Sequence, residues 1–459
     1  MTRRYFAIAA LAIVGAASGC KSYLTETSAV LDPNNPSSFT RDQLLAGIEA
    51  NMLDQQEGGV AMLICQWVQQ CASNAGRFVE LQGHYVINNT SFSPNFNSIY
   101  TGGGLVSIRA AEASAAAAGN IQYKGVLEVL EAMQIGWGAD IWGDIPYSDA
   151  AGDNPTPKFD KQMAIYDALL TLLDKSIVDL GGAGSGTGAA DFLYNGDKTK
   201  WIKLAHMLKA RLYLHTAEKL GNAQYTKALA EANLGFTQAS DGLFGIHGTA
   251  SAERNMWAQF QTTSFGNDLV AGKPLVDIMK ASGDPRLPEY FAKAPDGAFH
   301  GWDAVTNTGD NSTPNDPVSP VGGSARTNDP TFPQPLVTFE EKQLIQAEAN
   351  FVLNGAAAAQ PFLDAVRLAH GKAVVPATLQ SIALEKYILM YQNVEAWNDF
   401  KRLCYPRLKP AATGFPAIPG RILYGATEAQ TNPDQPEILN EPSFTTGRNA
   451  NDPNACPTS

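Results

Sequence analysis

The sequence has 459 residues, of which 44% are hydrophobic, so the chain is long enough to bury a large core. Its formal net charge of −12 and isoelectric point near 5.0 argue against nucleic-acid and anionic-lipid partners, since phosphate binding requires clustered lysine and arginine. The negative charge favours an uncharged ligand. No charged or low-complexity linker divides the chain, and we therefore predict one compact domain.

The first 19 residues predict a cleavable export signal. Two arginines at positions 3 and 4 precede an apolar run at 5–17 that is too short to span a bilayer of about 30 Å. The segment 17–20 resembles the lipobox of bacterial lipoproteins, in which the thiol receives a lipid, so Cys20 is the expected lipid anchor and 20–459 the mature domain. The alternative is an ordinary signal peptide beside an incidental cysteine. Both the general and the twin-arginine export routes stay open.

Most of the remaining chain predicts amphipathic helices, because apolar residues recur at spacings of three and four. These segments are Leu127 to Trp137, Leu169 to Ile177, Trp201 to Leu212, Leu344 to Val352 and Leu384 to Tyr391. Such helices are expected to stack as hairpins. Between them lie long segments rich in Gly, Asn, Pro and Asp, at 88–104, 150–158, 181–188 and 297–335. Loops of that length are usually functional or disordered.

Four cysteines besides Cys20 allow three complete disulfide pairings. Cys65 and Cys71 would lie about 9 Å apart on a continuous helix, beyond the bridging limit of about 7 Å, so they can pair only if the helix breaks between them. Cys404 and Cys456 could staple an irregular C-terminal tail. Four free, mostly buried thiols are the alternative.

The segment from Ala139 to Ala150, with Gly143-Asp144-Ile145-Pro146-Tyr147 at its centre, resembles a motif of the SusD/RagB family. Further segments match that family in order along nearly the whole chain: Phe159-Asp160, Asn195-Gly196-Asp197, Leu208 to Leu212, Asp284 to Leu287, Thr338 to Glu341, Glu395 to Arg402 and Tyr405-Pro406. No single segment is specific. Their order after a lipobox identifies the sequence as resembling this family.

The resemblance implies a mostly α-helical fold in which tetratricopeptide-like hairpins form one side and irregular ligand-binding loops the other. It implies an outer-membrane lipoprotein on the cell surface that binds a nutrient, with an oligosaccharide or polysaccharide favoured over a peptide. It further implies a SusC-like, TonB-dependent barrel as the partner that receives the nutrient. Two other classes of function remain: a lipid-anchored polysaccharide-degrading enzyme and a helical-repeat scaffold for envelope assembly.

No pattern of catalytic or metal-binding residues accompanies the resemblance, and we predict neither an enzyme nor a cofactor. The six histidines lack metal-ligand spacing, and no serine lies in a nucleophile elbow. Asp140 and Asp144 would form a glycosidase pair only on a continuous helix, and Gly143 predicts that the helix stops there. We expect Asp144 to accept hydrogen bonds from turn amides ahead of Pro146. The acidic loop with Asp303, Asp310, Asn311 and Asp316 misses the spacing of a calcium loop and is predicted to be solvated.

The candidate ligand site consists of aromatic residues in the long loops, because a sugar ring presents an apolar face of C–H bonds that stacks on an aromatic plane. One loop region carries Tyr85, Phe92, Phe96 and Tyr100, and the later one carries Trp257, Phe265 and Trp302. Nearby polar groups could bind sugar hydroxyls: Asn95, Asn97, Gln259 and Asp303. Trp257 and Trp302 are the strongest candidates. The alternative is that each aromatic plugs the core beneath its own loop.

Overall fold

The computed structural model describes residues 39–76, 78–307, 317–412, 414–436 and 447–457. The predicted export signal, Cys20 and the loop residues Asp310, Asn311 and Asp316 lie outside these ranges. The α-helices are α1 Arg41–Glu57, α2 Gly59–Trp67, α3 Ser93–Ser98, α4 Leu105–Ala117, α5 Ile121–Trp142, α6 Gln162–Leu180, α7 Lys198–His215, α8 Ala217–Leu220, α9 Ala223–Leu234, α10 Met256–Gln261, α11 Lys273–Ala281, α12 Leu287–Tyr290, α13 Ala325–Asn328, α14 Phe339–Asn354, α15 Ala356–Ala369, α16 Leu379–Leu389, α17 Glu395–Leu403 and α18 Ala426–Thr431. The strands are β1 Cys71–Ser73, β2 Ile145–Pro146, β3 Phe159–Asp160, β4 Leu243–Gly245, β5 Leu269–Ala271 and β6 Gln334–Val337.

The long helices begin at side-chain caps that the sequence supplies. The Asp197 carboxylate accepts hydrogen bonds from the first free amides of α7, and Thr338 forms a capping box with Glu341 at the start of α14. Helix α5 ends at Gly143, whose φ of 87° favours glycine. A Cβ at Gly143 would also lie 2.5 Å from the Asn449 side chain. Both the backbone conformation and the lack of space therefore favour glycine at this end of α5.

The helices stack in sequence order into hairpins, which confirms the predicted tetratricopeptide-like scaffold. Helix α5 packs on α6, α6 on α7 and α7 on α9; the stack continues through α14 to α15 and α16. The five predicted amphipathic segments all fall within helices of this stack, although the last ends at Leu389, two residues short. None of the described helices combines the length and hydrophobicity needed to cross a bilayer.

Buried ion pairs join neighbouring hairpins. Arg211 of α7 pairs with Glu341 of α14, with Nε 2.5 Å from Oε1. Glu348 of α14 pairs with Lys386 of α16, with Oε2 3.1 Å from Nζ. It also accepts hydrogen bonds from both terminal nitrogens of Arg402 on α17. Burial alone would raise the pKa of Glu348, but the two cations lower it to about 2. These ion pairs therefore connect α14 with α7, α16 and α17 inside the scaffold.

Short antiparallel strands bring distant loops together next to α10. Strand β1 pairs with β5, so that Cys71 lies opposite Ala271, and β4 pairs with β6. These strands are short, as the rarity of alternating apolar runs predicts. Strand β1 places the end of α2 beside the segment that follows α10, and β4 leads directly into Ile246 and His247.

Both disulfides considered from the sequence are present. Helix α2 ends at Trp67, before Cys71, and this break lets the Cα atoms of Cys65 and Cys71 approach to 5.1 Å. Cys404 and Cys456 are joined with their Cα atoms 5.2 Å apart. The second bridge holds the C-terminal segment against the helices, where Asn449 Nδ2 donates to the Asp140 carbonyl at 2.9 Å.

Candidate functional site

The first group of predicted site aromatics lies in the core. Phe96 is completely buried and packs edge-on against Tyr100, Trp142 and Tyr424. The Tyr100 hydroxyl donates to the Pro146 carbonyl at 3.0 Å. Three rings surround Phe96, and the half-buried Tyr100 bonds backbone through its hydroxyl, so the structure favours for both residues the alternative of a ring that packs beneath its own loop.

Tyr85 and Phe92 are also buried. The Tyr85 hydroxyl accepts a hydrogen bond from the Ala411 amide at 3.0 Å, and its ring packs against Trp67 and Phe415. Phe92 is 6% exposed. Since neither ring presents a face to solvent, the structure favours the core interpretation for this whole loop region.

The two tryptophans lie apart from each other. Trp257 is 1% exposed within α10. Trp302 belongs to a separate small cluster with Ala72 and Val270, and its backbone pairs with Ala271. Asp303 turns its carboxylate back onto the amides of its own loop. The predicted platforms therefore do not face one another across a common site.

Phe265 is the predicted aromatic that stays open, with 39% of its surface exposed. Its ring centroid lies 5.8 Å from that of Phe78, and Phe78 in turn lies 5.8 Å from Phe260. Both contacts are edge-to-face, at 79° and 76°. Phe78 and Phe260, both half-buried, line a groove of about 510 Å³, which we call groove A.

Groove A lies between α1, α2 and α10, and amides line it beside the aromatic rings. Its walls include Asp54, Gln66, Phe78, Gln82, Gln259 and Phe260, with Arg254 and Met256 at one edge. Gln66 Nε2 donates to Gln82 Oε1 at 2.6 Å, and Gln66 Oε1 accepts a hydrogen bond from the Ser73 hydroxyl. Gln259 Nε2 donates to the Arg254 carbonyl at 2.7 Å. Amides carry both donors and acceptors, so they can match sugar hydroxyls, which do the same.

Groove A contains one acid and one base that do not pair with each other. Burial raises the pKa of the Asp54 carboxyl, and none of the described residues donates a hydrogen bond or a cation to it. Arg254 Nε donates to the Thr249 carbonyl at 3.2 Å, and no described carboxylate lies within ion-pair distance of its guanidinium. The two charges offset one another, and groove A is neutral overall.

A second groove, groove B, of about 500 Å³ adjoins groove A and shares Arg254, Met256 and Gln259 with it. Its walls include Leu53 of α1 and the exposed side chains of Phe192 and Ile246, 38% and 48% exposed. His247 also lines it, with Nε2 2.9 Å from Oε2 of the fully buried Glu57. Burial raises the pKa of Glu57, and the neighbouring imidazole opposes that rise.

A buried glutamate holds the Phe192 backbone at the wall of groove B. Glu49 Oε2, on α1, accepts a hydrogen bond from the Phe192 amide at 3.1 Å. Burial and the nearby Asp191 carboxylate raise the pKa of Glu49 to about 10, so it is protonated at neutral pH. Helix α1 therefore shapes both grooves, with Leu53 in groove B and Asp54 in groove A.

The acidic residues of the family motif are engaged in structural contacts. Asp144 accepts a hydrogen bond from the Gln162 amide at 2.9 Å and pairs with Lys161. Asp144 thus caps α6. The sequence analysis had predicted a different role, in which Asp144 accepts hydrogen bonds from turn amides ahead of Pro146. Asp140 lies on α5, which ends before Asp144, so the two carboxylates do not share a helix face.

His215 bridges two carboxylates beneath the scaffold. Its ring nitrogens lie 3.1 Å from Asp140 and 2.7 Å from Glu395. Burial opposes the charged imidazole, but the two carboxylates outweigh it and raise the pKa of His215 to about 10. The adjoining cavity is about 40 Å³, room for ordered water but not for a sugar. Among the described residues, no three potential ligands gather as a metal site.

The predicted site residues overlap only in part with the residues that line groove A. Gln259 and Phe265 lie in or beside groove A, whereas Phe78, Phe260 and Arg254 were not identified. Met256, Gln259 and Phe260 share one face of α10 by their spacing of three and four, and Trp257 points to the buried side. The helical phase of this segment was the available signal.

Comparisons with known proteins agree with this architecture. A SusD/RagB family protein from Bacteroides thetaiotaomicron VPI-5482 superposes with a TM-score of 0.72 at 22% identity, covering 86% of this chain and 95% of that chain. A chitin-binding SusD homolog from Flavobacterium johnsoniae gives a TM-score of 0.69 at 18% identity, covering 90% of this chain and 100% of that chain. No curated protein sequence matches the chain. At these identities the structural likeness establishes the fold alone.

A family model matches residues 33–425, most of the chain. Its description is "Starch-binding associating with outer membrane". The match covers the hairpin scaffold, both grooves and the segment with Asp140 and Asp144. The chain belongs to this SusD-like family.

Proposed function

We propose that the protein is a cell-surface lipoprotein that binds a neutral oligosaccharide or polysaccharide in groove A and passes it to a TonB-dependent outer-membrane transporter. It binds its ligand without chemical change. The observation that carries the proposal is the cluster of Phe78, Phe260 and Phe265 beside the amides of groove A. Aromatic faces with a few placed polar groups are the usual composition of a ligand site, and groove A lies within the usual range of about 300–1,000 Å³.

The family and one structural neighbour support a carbohydrate ligand. The family description names starch, and the Flavobacterium johnsoniae homolog is described as chitin-binding. Both polymers are neutral chains of sugar rings, which agrees with the offsetting charges of Asp54 and Arg254. The anchor at Cys20, the outer-membrane location and the barrel partner rest on the lipobox and on the family.

The predicted residues receive different roles in this proposal. Phe265 and Gln259 act directly on the ligand. Trp257, buried in α10, supports the helix that carries Gln259 and Phe260 and does not stack on the sugar itself. We place Trp302 and the first loop region outside the site.

Isothermal titration calorimetry on the soluble protein tests the proposal, with maltohexaose and chitohexaose as probes. Phe260→Ala and Phe265→Ala should each weaken binding about tenfold or more, by analogy with the stacking of nucleic-acid bases on aromatic side chains. Phe39→Ala is the matched control, because Phe39 is 55% exposed and lines neither groove. Unchanged affinity in both folded groove variants would place the site elsewhere.

A further inference from the structure

Grooves A and B are separated only by a narrow ridge. Arg254, Met256 and Gln259 line both grooves, so these three residues form the ridge. Each groove is large enough for a ligand segment, at about 510 and 500 Å³. Two adjoining grooves with a shared wall suit one extended ligand better than two separate small ones.

Groove B repeats the chemical character of groove A. Phe192, Ile246 and Met256 supply apolar contact surface, and Gln259 on the ridge lines both grooves. His247 directs Nε2 toward Glu57, and its side chain, 4% exposed, lines groove B. Glu253 and Arg254 bring one charge of each sign. Groove B is therefore also suited to a neutral ligand with apolar faces and hydroxyl groups.

We propose that a single oligosaccharide chain crosses the ridge and occupies both grooves at once. This inference rests on the proposed function and specifies its ligand class as a polymer or long oligomer, as opposed to a mono- or disaccharide. A chain of sugar rings repeats the same apolar faces and hydroxyls at every unit, so successive units can satisfy two similar grooves. The Arg254 guanidinium, without a carboxylate partner, lies where the chain would cross.

The test compares short and long chains on the soluble protein. Maltose and maltohexaose form one pair of probes, and chitobiose and chitohexaose the other. When one end of a hexasaccharide is bound in one groove, its other end is held close to the second groove. In the series that the protein binds, the hexasaccharide should therefore bind at least about tenfold more tightly than the disaccharide. Calorimetry gives both affinities and their ratio.

Variants in groove B test whether the higher affinity for the hexasaccharide comes from contacts in groove B. Phe192→Ala and Ile246→Ala each remove an exposed side chain and should bring the hexasaccharide-to-disaccharide ratio down toward one. Leu234→Ala is the control, since Leu234 is 60% exposed at the end of α9 and lines neither groove. Circular dichroism checks folding, and the two groove B variants serve as independent replicates should one of them misfold.

Three outcomes are distinguishable. A high ratio in the wild type that falls in the groove B variants supports the inference. Equal affinities for short and long chains, or a ratio that both variants leave intact, overturn it while capture in groove A still holds. Failure of the wild type to bind either series overturns the proposed function and this inference together.

Discussion

At the scale of single residues, Glu348 shows how strongly the scaffold depends on buried charge. Glu348→Gln removes one of the two buried carboxylates that Lys386 and Arg402 share, and leaves the two cations with Asp399 alone. Breaking one side of a buried ion pair costs about 3–5 kcal/mol, and we expect that loss in the free energy of unfolding, measured with urea. Glu80→Gln is the matched control, because the Glu80 side chain is 62% exposed and its removal should cost about 0.5 kcal/mol or less. Equal losses in the two variants would contradict this account.

His215 should make stability depend on pH in the alkaline range. Its pKa in the folded protein, about 10, lies above the ordinary value of 6.5. The charged imidazole therefore contributes stability in full below about pH 6.5, and that contribution is lost as the pH rises through about 10. His215→Gln should accordingly destabilise the protein most near pH 6 and progressively less toward pH 10.

Urea unfolding of the wild type and His215→Gln across that pH range measures this difference. His300→Gln provides the comparison, because His300 pairs with Asp296 near the surface and not between two buried carboxylates. A destabilisation by His215→Gln that stays constant with pH would show that the imidazole acts only through packing.

The candidate site was predictable by region but not by residue. Trp257, Gln259 and Phe265 were predicted to lie in a ligand-binding loop region, and Gln259 lines groove A. Phe96 lies among Asn, Ser and Pro in the sequence, yet its ring is buried, because the loop folds back onto Trp142 and Tyr424 from distant parts of the chain. Sequence composition describes a segment's neighbours along the chain, whereas burial depends on neighbours in space.

At the scale of elements, the Cys404–Cys456 disulfide and the buried hydrogen bonds of Asn449 and Asn451 hold the C-terminal segment. Replacing Cys404 and Cys456 together with serine releases that segment from α17. The closed loop spans 52 residues of sequence separation, and removal of a disulfide typically costs about 2–4 kcal/mol. We expect a lower melting temperature and early proteolytic cleavage within 447–457, detected by mass spectrometry.

The bridge between Cys65 and Cys71 gives the control for that experiment. It closes a short loop with a sequence separation of 6 and lies far along the sequence from the C-terminal segment. The double serine variant at these positions should keep 447–457 protected from protease. Early cleavage there in both variants would mean that the Cys404–Cys456 bridge does not hold the tail.

The helices were the most predictable elements, because their apolar spacing is a local property of the sequence. The strands were not, since β1 and β5 pair across a long separation in sequence and each has three residues. The break in α2 was equally hidden: nothing in the apolar pattern at 62–70 shows that the helix ends at Trp67. The sequence could therefore predict the Cys65–Cys71 bridge only on the condition that the helix breaks between the two cysteines.

At the scale of the whole molecule, the lipid on Cys20 would determine where the protein works. Two or more acyl chains, each contributing about 0.8 kcal/mol per buried methylene, suffice for stable membrane attachment. Cys20→Ala should therefore shift the protein from the membrane to the soluble fraction, and globomycin should block processing of the wild-type precursor. Precursor processing that is insensitive to globomycin would remove the anchor from the proposal.

Transfer of the ligand requires a partner, and we expect the surface that binds this partner to lie outside the two grooves. If the intact lipoprotein sits on a TonB-dependent barrel, a pull-down in mild detergent should recover a large outer-membrane protein. Phe260→Ala should recover it equally well, because in the proposed function Phe260 contacts the sugar in groove A and we expect the barrel to bind a different surface. The same preparation can be titrated with oligosaccharide, so capture and assembly are measured on one sample. Recovery of no barrel by the wild type would leave a surface binding protein without the transfer step, whereas loss of the barrel only in Phe260→Ala would show that the groove itself forms part of the interface.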